Sequence, residues 1–540
     1  MTALDRRHFL IVGASVLAAS ACSSSGAGDA QDKIDNPDPN LNTTGMPIVK
    51  EPVTLSFLSG RPPMTADDWN AVESMKYMEQ ISGVHVDFGT VPLDGVKERR
   101  NLALASGDYP GALFRTSLSA GEIAKYADQG TFISLSTLID KYMPNLTAIM
   151  EKRPNVRKGL TFPDGNIYSL PQIYDPEFLG MRYMMKLWVR QDWLDKFGMD
   201  VPTTLDEYEA YLTSVVKENP AREGDAIGLA DGAKFGDLYS TMLGTFGIGN
   251  KGTDVGSVDL DPDSGKVRFV PTADGYREMM TYLNKLYAQG LIMPDLFSTD
   301  AAKFNTLGGQ GLLGSAATQT PSGFFGKEGE NYVALAPLKK SSDAPQPQWH
   351  AVRSELAGIG QFVMTDRNEH PIETARWMDH FYSDEGARLF FMGIEGKSYE
   401  KRGDGYELTD DIAHNPDGKS IDDGLRPYVI YMGGRYPGYA TAAYFKGVEN
   451  TPQATEGSKV VQPHALEEVW PAFNYTKEEA AEMESISADI GKYASESRAA
   501  FITGQKPLTE WDAHLAQFEQ MGLPRYLEIQ QAALERFQAN

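Results

Sequence analysis

Residues 53 to 91 read VTLSFLSGRPPMTADDWNAVESMKYMEQISGVHVDFGTV, and the changes of hydrophobic period within them decide the fold class. Val53, Leu55 and Phe57 alternate with smaller residues, as in a half-buried strand, and Gly60, Pro62 and Pro63 end the run. Trp69, Val72, Met75, Met78 and Ile81 follow at helical spacing, so residues 69–83 predict a helix. VHVDFGTV then predicts a second strand. Strand, helix and strand within about 40 residues make a βαβ unit, whose strands pair in parallel.

Similar alternation continues outward from this unit. LWVRQDWLDKFG is followed by PTTLDEYEAYLTSVVKEN, where Thr203 or Thr204 can cap a helix, and by the glycine-punctuated AIGLADGAKFGD. The last third of the chain is mostly helical by period, and no repeat of fixed length is visible. The class is therefore α/β. With 540 residues, 41% of them hydrophobic and 10% aromatic, the chain exceeds what one core serves, and two lobes are expected.

The first residues belong to a different logic. Arg6 and Arg7 precede an apolar run, Phe9 to Ala21, that is too short to span a bilayer and ends in small residues, as a signal peptide does. The order Arg-Arg-His-Phe-Leu resembles a twin-arginine export signal. Cys22 is the only cysteine, and its place after Ala-Ser-Ala resembles the bacterial lipoprotein box, in which the thiol receives a lipid. Residues 1–21 are thus expected to be removed, with Cys22 anchoring the chain to the outer face of the cell membrane. The alternative is a secreted protein with a spare thiol. Residues 22–50 are small, polar and proline-rich, without apolar period, and predict a disordered tether.

Charge narrows the ligand class. The formal net charge is -24, and such a field repels phosphate backbones and anionic headgroups, so no nucleic acid is expected and a neutral ligand fits best. Motifs for chemistry are weak. GIGNKG at 247–252 has dinucleotide-site spacing but is followed by turn-like sequence where a helix is needed. In DLDPDSG, Asp259, Asp261 and Asp263 begin like a calcium loop, yet Ser264 and Val270 stand where glycine and glutamate are required, so a solvated hairpin turn is the better reading. The eight histidines are scattered, and neither a metal site, a cofactor nor a catalytic group is expected.

Aromatic side chains in loop-like segments remain. The densest is RPYVIYMGGRYPGYATAAYF, with Tyr428, Tyr431, Tyr436, Tyr439 and Tyr444 inside seventeen residues. Tyrosine and tryptophan present a flat apolar face with a polar tip, which suits sugar rings. Core aromatics beneath long loops are the competing reading.

LALASGDYPGALFR, YADQGTFISLSTLIDKYMPNL, FPDGNIYSLP, LWVRQDWLDKFGMDVPTTLDEY, ARWMDHFYSDEGARLFFMGIEGKSYE and ITGQKPLTEWDAHLAQFEQMGL, in that order, resemble segments of extracellular solute-binding protein family 1, in its large LplA-like branch. The resemblance runs from residue 51 to the end. It implies a type II periplasmic-binding-protein-like fold of two discontinuous lobes around a hinge, 51–170 with 350–400 and 171–349 with 401–540. It also implies a monomeric carbohydrate-binding subunit of an ABC importer whose partners are an oligosaccharide and the permease. A peptide or other polar nutrient as ligand, or a lipid-anchored carbohydrate-active enzyme, are the alternatives. Ligand loops follow the C-terminal ends of strands in such sheets. By position this nominates Arg61, Asp108, Arg115, Tyr168, Trp188, Arg190, Gln319, Trp349, Tyr436, Tyr439 and Trp470, with Arg182 and Tyr183 as secondary candidates. Arg190 and Asp192 could equally form a structural ion pair. Trp193, Trp377 and Trp511 lie on helical segments and are expected in the core.

Overall fold

The computed structural model describes residues 26–415, 420–431 and 436–539; Cys22 and the expected export signal lie outside them. The expected βαβ unit is present. Strand β1 (Val53–Arg61) pairs in parallel with β2 (Val84–Asp87) and β3 (Thr90–Pro92). The helix between them runs Glu73–Ser82, preceded by a single 3-10 turn at Trp69–Ala71. Gly83 ends the helix with φ 73°, and its N–H returns to the Glu79 carbonyl, a conformation glycine adopts without steric cost. Trp69, Val72, Met75 and Met78 are buried on one side, which is why the helical period shows in the sequence.

Following the chain, β4 (Ala112–Phe114) and β5 (Leu170–Tyr174) join the same sheet. The chain then leaves to build a second sheet from β6 (Lys186–Arg190) and β7 (Ile227–Asp231), a separate hairpin of β8 (Val258–Leu260) and β9 (Val267–Phe269), then β10 (Leu313–Thr318) and β11 (Tyr332–Ala334). It returns for β12 (Leu356–Met364), a small hairpin of β13 (Tyr399–Arg402) and β14 (Gly405–Leu408), and β15 (Gly438–Ala440). The first sheet has the order β15-β5-β12-β4-β1-β2, with β3 also on β1; the second has the order β11-β6-β10-β7. Each sheet has its own core. Phe57, Phe114, Phe362, Trp377 and Tyr436 belong to one, and Tyr208, Tyr211, Leu229, Met279 and Trp511 to the other. The molecule is therefore α/β and two-lobed, as expected.

Strand directions fix which edges of the sheets face each other. β4, β5 and β15 run with β1, while β12 opposes them. In the second sheet β7, β10 and β11 run together and β6 opposes them. The connections β5 to β6, β11 to β12 and β15 to the helix Pro452–Val461 all leave or enter on the edge holding the C-terminal ends of the parallel strands. These two edges thus bound the space between the lobes. The C-terminal helices complete the second lobe around the β8–β9 hairpin, with Trp470, Phe473, Phe518 and Tyr526 in a third core. They also touch the first lobe, where Asn474 Nδ2 donates to the carbonyls of Gly159 and Thr161 and Lys477 pairs with Asp128 at 2.5 Å.

Two expectations need correction. The described residues of 401–450, assigned above to the second lobe, pack into the first: Phe390 and Phe391 meet Tyr431 with centroids at 5.5 and 4.3 Å, and Phe445 meets Phe178 and Phe391. The tether is not a free coil from Gly26 onward. Gly26–Asp35 is a helix with Ala30 and Ile34 turned into the first core, and Leu41, Ile48 and Val49 follow them there. Ile48 is fully buried, and its N–H donates to the Ser82 carbonyl at 2.8 Å. Five apolar residues scattered among polar ones leave no period to read, yet they suffice to dock the segment. Ile48→Ala should lower the unfolding free energy by about 2 to 3 kcal/mol in urea denaturation, as deletion of a buried side chain does; a truly free tether would show no change.

Candidate functional site

In the first lobe the facing edge ends in a strained turn. Arg115 and Ser117, just past β4, have φ of 54° and 59°, the left-handed region that non-glycine residues avoid at a cost of about 1 kcal/mol or more each. The guanidinium of Arg115 lies over the Tyr436 ring, 4.2 Å from its centroid. Several buried polar atoms here lack a hydrogen-bond partner among the described residues: Arg115 Nη1, Ser59 Oγ, Thr116 Oγ1, Gln172 Oε1 and Tyr436 OH. Such atoms are costly, and their concentration on the edge that faces the other lobe is what a ligand site requires.

The second lobe mirrors this arrangement. Lys234 and Phe235, just past β7, have φ of 53° and 78°. Asp231, buried at the end of β7, holds the turn by accepting the N–H groups of Ala233 and Leu238. Asp237 follows. Burial, added to the charge of Asp231, pushes its carboxyl up to about 7, with Arg353 pulling the other way. Arg498, from the helix Lys477–Thr503, stacks over Tyr239 at 4.5 Å and Phe235 at 5.2 Å. Past β10, Gln319 Oε1 is buried without a partner among the described residues.

Where the crossing segments meet, a recess of 350 Å³ is walled by both lobes, including Arg153, Asn155, Arg182, Glu355 and Glu468. Glu355 bridges Arg153 at 3.6 Å and Arg182 at 3.5 Å. Arg153 Nη2 donates to the Tyr439 hydroxyl at 2.8 Å, which in turn donates to Asp175 at 2.7 Å. Lys186, at the start of β6, is fully buried and donates to the carbonyls of Tyr183 and Met184, and burial pushes its ammonium down to about 7. Cβ on Gly180 would lie 1.7 Å from the Glu449 carbonyl, so the first and third crossings touch.

The nominated residues separate into groups. Arg115, Gln319 and Tyr439 stand on the facing edges or the crossing segments, Arg115 Nη1 and Gln319 Oε1 buried without a partner among the described residues and the Tyr439 hydroxyl held between Arg153 and Asp175. Arg61 ends β1 on the same edge and pairs with Asp67 at 2.9 Å. Arg182 and Tyr183 lie on the first crossing, Arg182 Nε donating to the Arg353 carbonyl at 2.7 Å. Asp108 and Tyr168 precede β4 and β5 and so lie at the opposite edge; Tyr168 is buried with its hydroxyl donating to Asp164. Arg190, at the far end of β6, pairs with Asp192 and Glu328, which is the structural alternative. Trp188, Trp349 and Trp470 are buried, Trp188 donating its indole N–H to the Thr318 carbonyl at 3.0 Å. Tyr436 also corrects the platform expectation, since it is fully buried among Trp69, Phe114, Phe390 and Tyr431. Trp193, Trp377 and Trp511 are buried, as expected. Asp237, Arg353 and Glu355 were not nominated; Asp237 stands in the AKFGD turn that follows β7.

The motif 259–265 forms a hairpin, but Asp259 is buried rather than solvated. Arg268 Nε and Nη2 donate to its two oxygens at 2.9 and 2.8 Å, and Gly249 of GIGNKG donates its N–H at 2.7 Å. Among the described residues no group of three or more His, Cys, Asp or Glu could hold a metal ion.

The profile of bacterial extracellular solute-binding proteins matches residues 63–387. Over 549 residues, 98% of each chain, the sequence is 27% identical to the fructooligosaccharide ABC transporter substrate-binding protein FusA of Streptococcus pneumoniae serotype 4. The solved structure of FusA in complex with kestose matches with a TM-score of 0.74, over 90% of this chain and all of that one. An extracellular solute-binding protein of Bifidobacterium longum subsp. infantis, 23% identical, shares the fold with a TM-score of 0.77 over 90% of this chain and 98% of that one. With lobes, crossings and facing edges all in place, the chain belongs to the bacterial extracellular solute-binding proteins.

Proposed function

We propose that the protein is the substrate-binding subunit of an ABC importer, capturing an oligosaccharide between its lobes and presenting it to a membrane permease. The observation that carries this reading is the similarity to FusA across both lobes. Unpartnered donors and acceptors on the facing edges supply the chemistry, because sugar hydroxyls satisfy both. Closure moves water out and lets each new hydrogen bond count, and a ligand drives closure only by preferring the closed form. Three crossing segments allow bending while resisting twist. The protein binds and releases its ligand unchanged, with no chemical step.

A thermal-shift screen against fructooligosaccharides, other neutral and acidic oligosaccharides and peptides tests this directly. A saccharide at 100 times its dissociation constant adds about 2.7 kcal/mol of stability. Stabilisation by peptides alone, or shorter products in mass spectra of the bound sugar, would overturn the reading. Export and anchoring rest on the first 22 residues. Among the described residues no helix is long and apolar enough to cross a membrane, and a lipid on Cys22 is the proposed anchor. Cys22→Ala should release the protein into the medium; retention in salt-washed membranes argues against the lipid.

A further inference from the structure

We infer, resting on the saccharide reading above, that Arg115 sets the ligand class: it receives a carboxylate, so the preferred ligand is an oligosaccharide carrying an acidic sugar residue.

Three observations converge on this residue. The first is the rigidity of its backbone. The Arg115 N–H donates to the Gln361 carbonyl of β12 at 2.6 Å, and on the other side its carbonyl fills the space that a Cβ on Gly60 of β1 would occupy, 2.2 Å away. Two neighbouring strands thus hold the left-handed φ of 54°, and strain kept in this way is characteristic of ligand clamps. The second is the lack of a counter-charge. Arg100 pairs with Glu122, Arg182 with Glu355, Arg190 with Asp192 and Glu328, and Arg268 with Asp259. Arg115 forms no ion pair among the described residues, although its Nη1 is buried. The third is its setting: the guanidinium lies over the Tyr436 ring, 4.2 Å from its centroid, and the buried Ser59 hydroxyl near the end of β1 lacks a partner among the described residues.

A guanidinium packed over a ring keeps a planar N–H fork, which a carboxylate matches with two parallel hydrogen bonds. A neutral sugar closing over it would exclude water and leave the buried cation uncompensated, a costly arrangement. A carboxylate supplies the missing charge. The acidity of the whole chain does not oppose this at contact distance, because exposed charges are screened over roughly 8 Å at physiological salt; it lowers the association rate instead.

The test is calorimetry on the full mature chain with three trisaccharides: trigalacturonate, its fully methyl-esterified form, and kestose. The acid should bind at least about 10-fold more tightly than its ester, as loss of a charge-assisted pair implies, and more tightly than kestose. Arg115→Gln should erase that preference, so that trigalacturonate and its methyl ester bind equally tightly. The ester comparison needs no variant, so it stands even if Arg115→Gln disturbs the strained turn. Equal affinity for acid and ester, or binding of kestose alone, overturns the inference and leaves the importer reading intact. Binding of none of the three while peptides bind overturns both.

Discussion

Tyr436→Ala should lower the unfolding free energy by about 3 to 5 kcal/mol, the range for deleting a buried aromatic side chain. The ring is fully buried and touches Trp69 and Phe114 on one side and Phe390 and Tyr431 on the other, with centroids 4.8 to 6.2 Å away. Alanine leaves a cavity that these rings cannot collapse to fill, because each is itself held by further aromatic contacts. The hydroxyl behaves differently. It has no partner among the described residues, so Tyr436→Phe should be neutral within about 0.5 kcal/mol or slightly stabilising, since no hydrogen bond is lost. Urea denaturation of the two variants separates ring from hydroxyl. A small stability loss for Tyr436→Ala, together with loss of saccharide affinity, would return the ring to the ligand and refute its place in the core.

Asp259→Ala should cost a similar 3 to 5 kcal/mol or so, because it strands a partly buried guanidinium. Asp259 is fully buried, takes both N–H edges of Arg268 and also accepts the Gly249 N–H, so one truncation leaves three donors unpaired. Arg268 thus supplies the positive charge that Asp259 accepts in this turn. Calcium and EDTA should leave the melting temperature of the unaltered protein unchanged. A drop on chelation would show that a metal shares the carboxylates, contrary to the bidentate arginine pair.

Much of the fold was legible because local period and global burial agree. The run from Val53 to Val91 alternates, turns helical and alternates again, since one side of each element meets the same core. The cap at Thr203 or Thr204 was legible for the same reason, and the structure puts it at Thr204: its hydroxyl accepts the Glu207 N–H and Glu207 returns the bond, a local arrangement that residues three positions apart suffice to specify. The tryptophans at 193, 377 and 511 were assigned to the core from helical spacing alone, and they are buried.

The edge that faces the other lobe was legible only in part. Arg115 and Gln319 stand on it because they follow strands, whereas nearness to the first crossing also nominated Arg190, at the far end of an antiparallel strand, and Tyr168, ahead of its strand. Strand direction within a sheet is a long-range property: β6 opposes β10 through residues more than a hundred positions away. By itself the sequence determined the α/β class, the count of lobes and the family. Only the tertiary structure decided that Tyr436 fills a core, that residues 26–50 dock on the first lobe, that the described residues of 401–450 belong to it, and that Arg115 lacks a counter-charge among the described residues. Hydrophobic period records whether a residue is buried in its own element, whereas counter-charges, unpaired donors and the side of a cleft depend on what other elements bring to the same place.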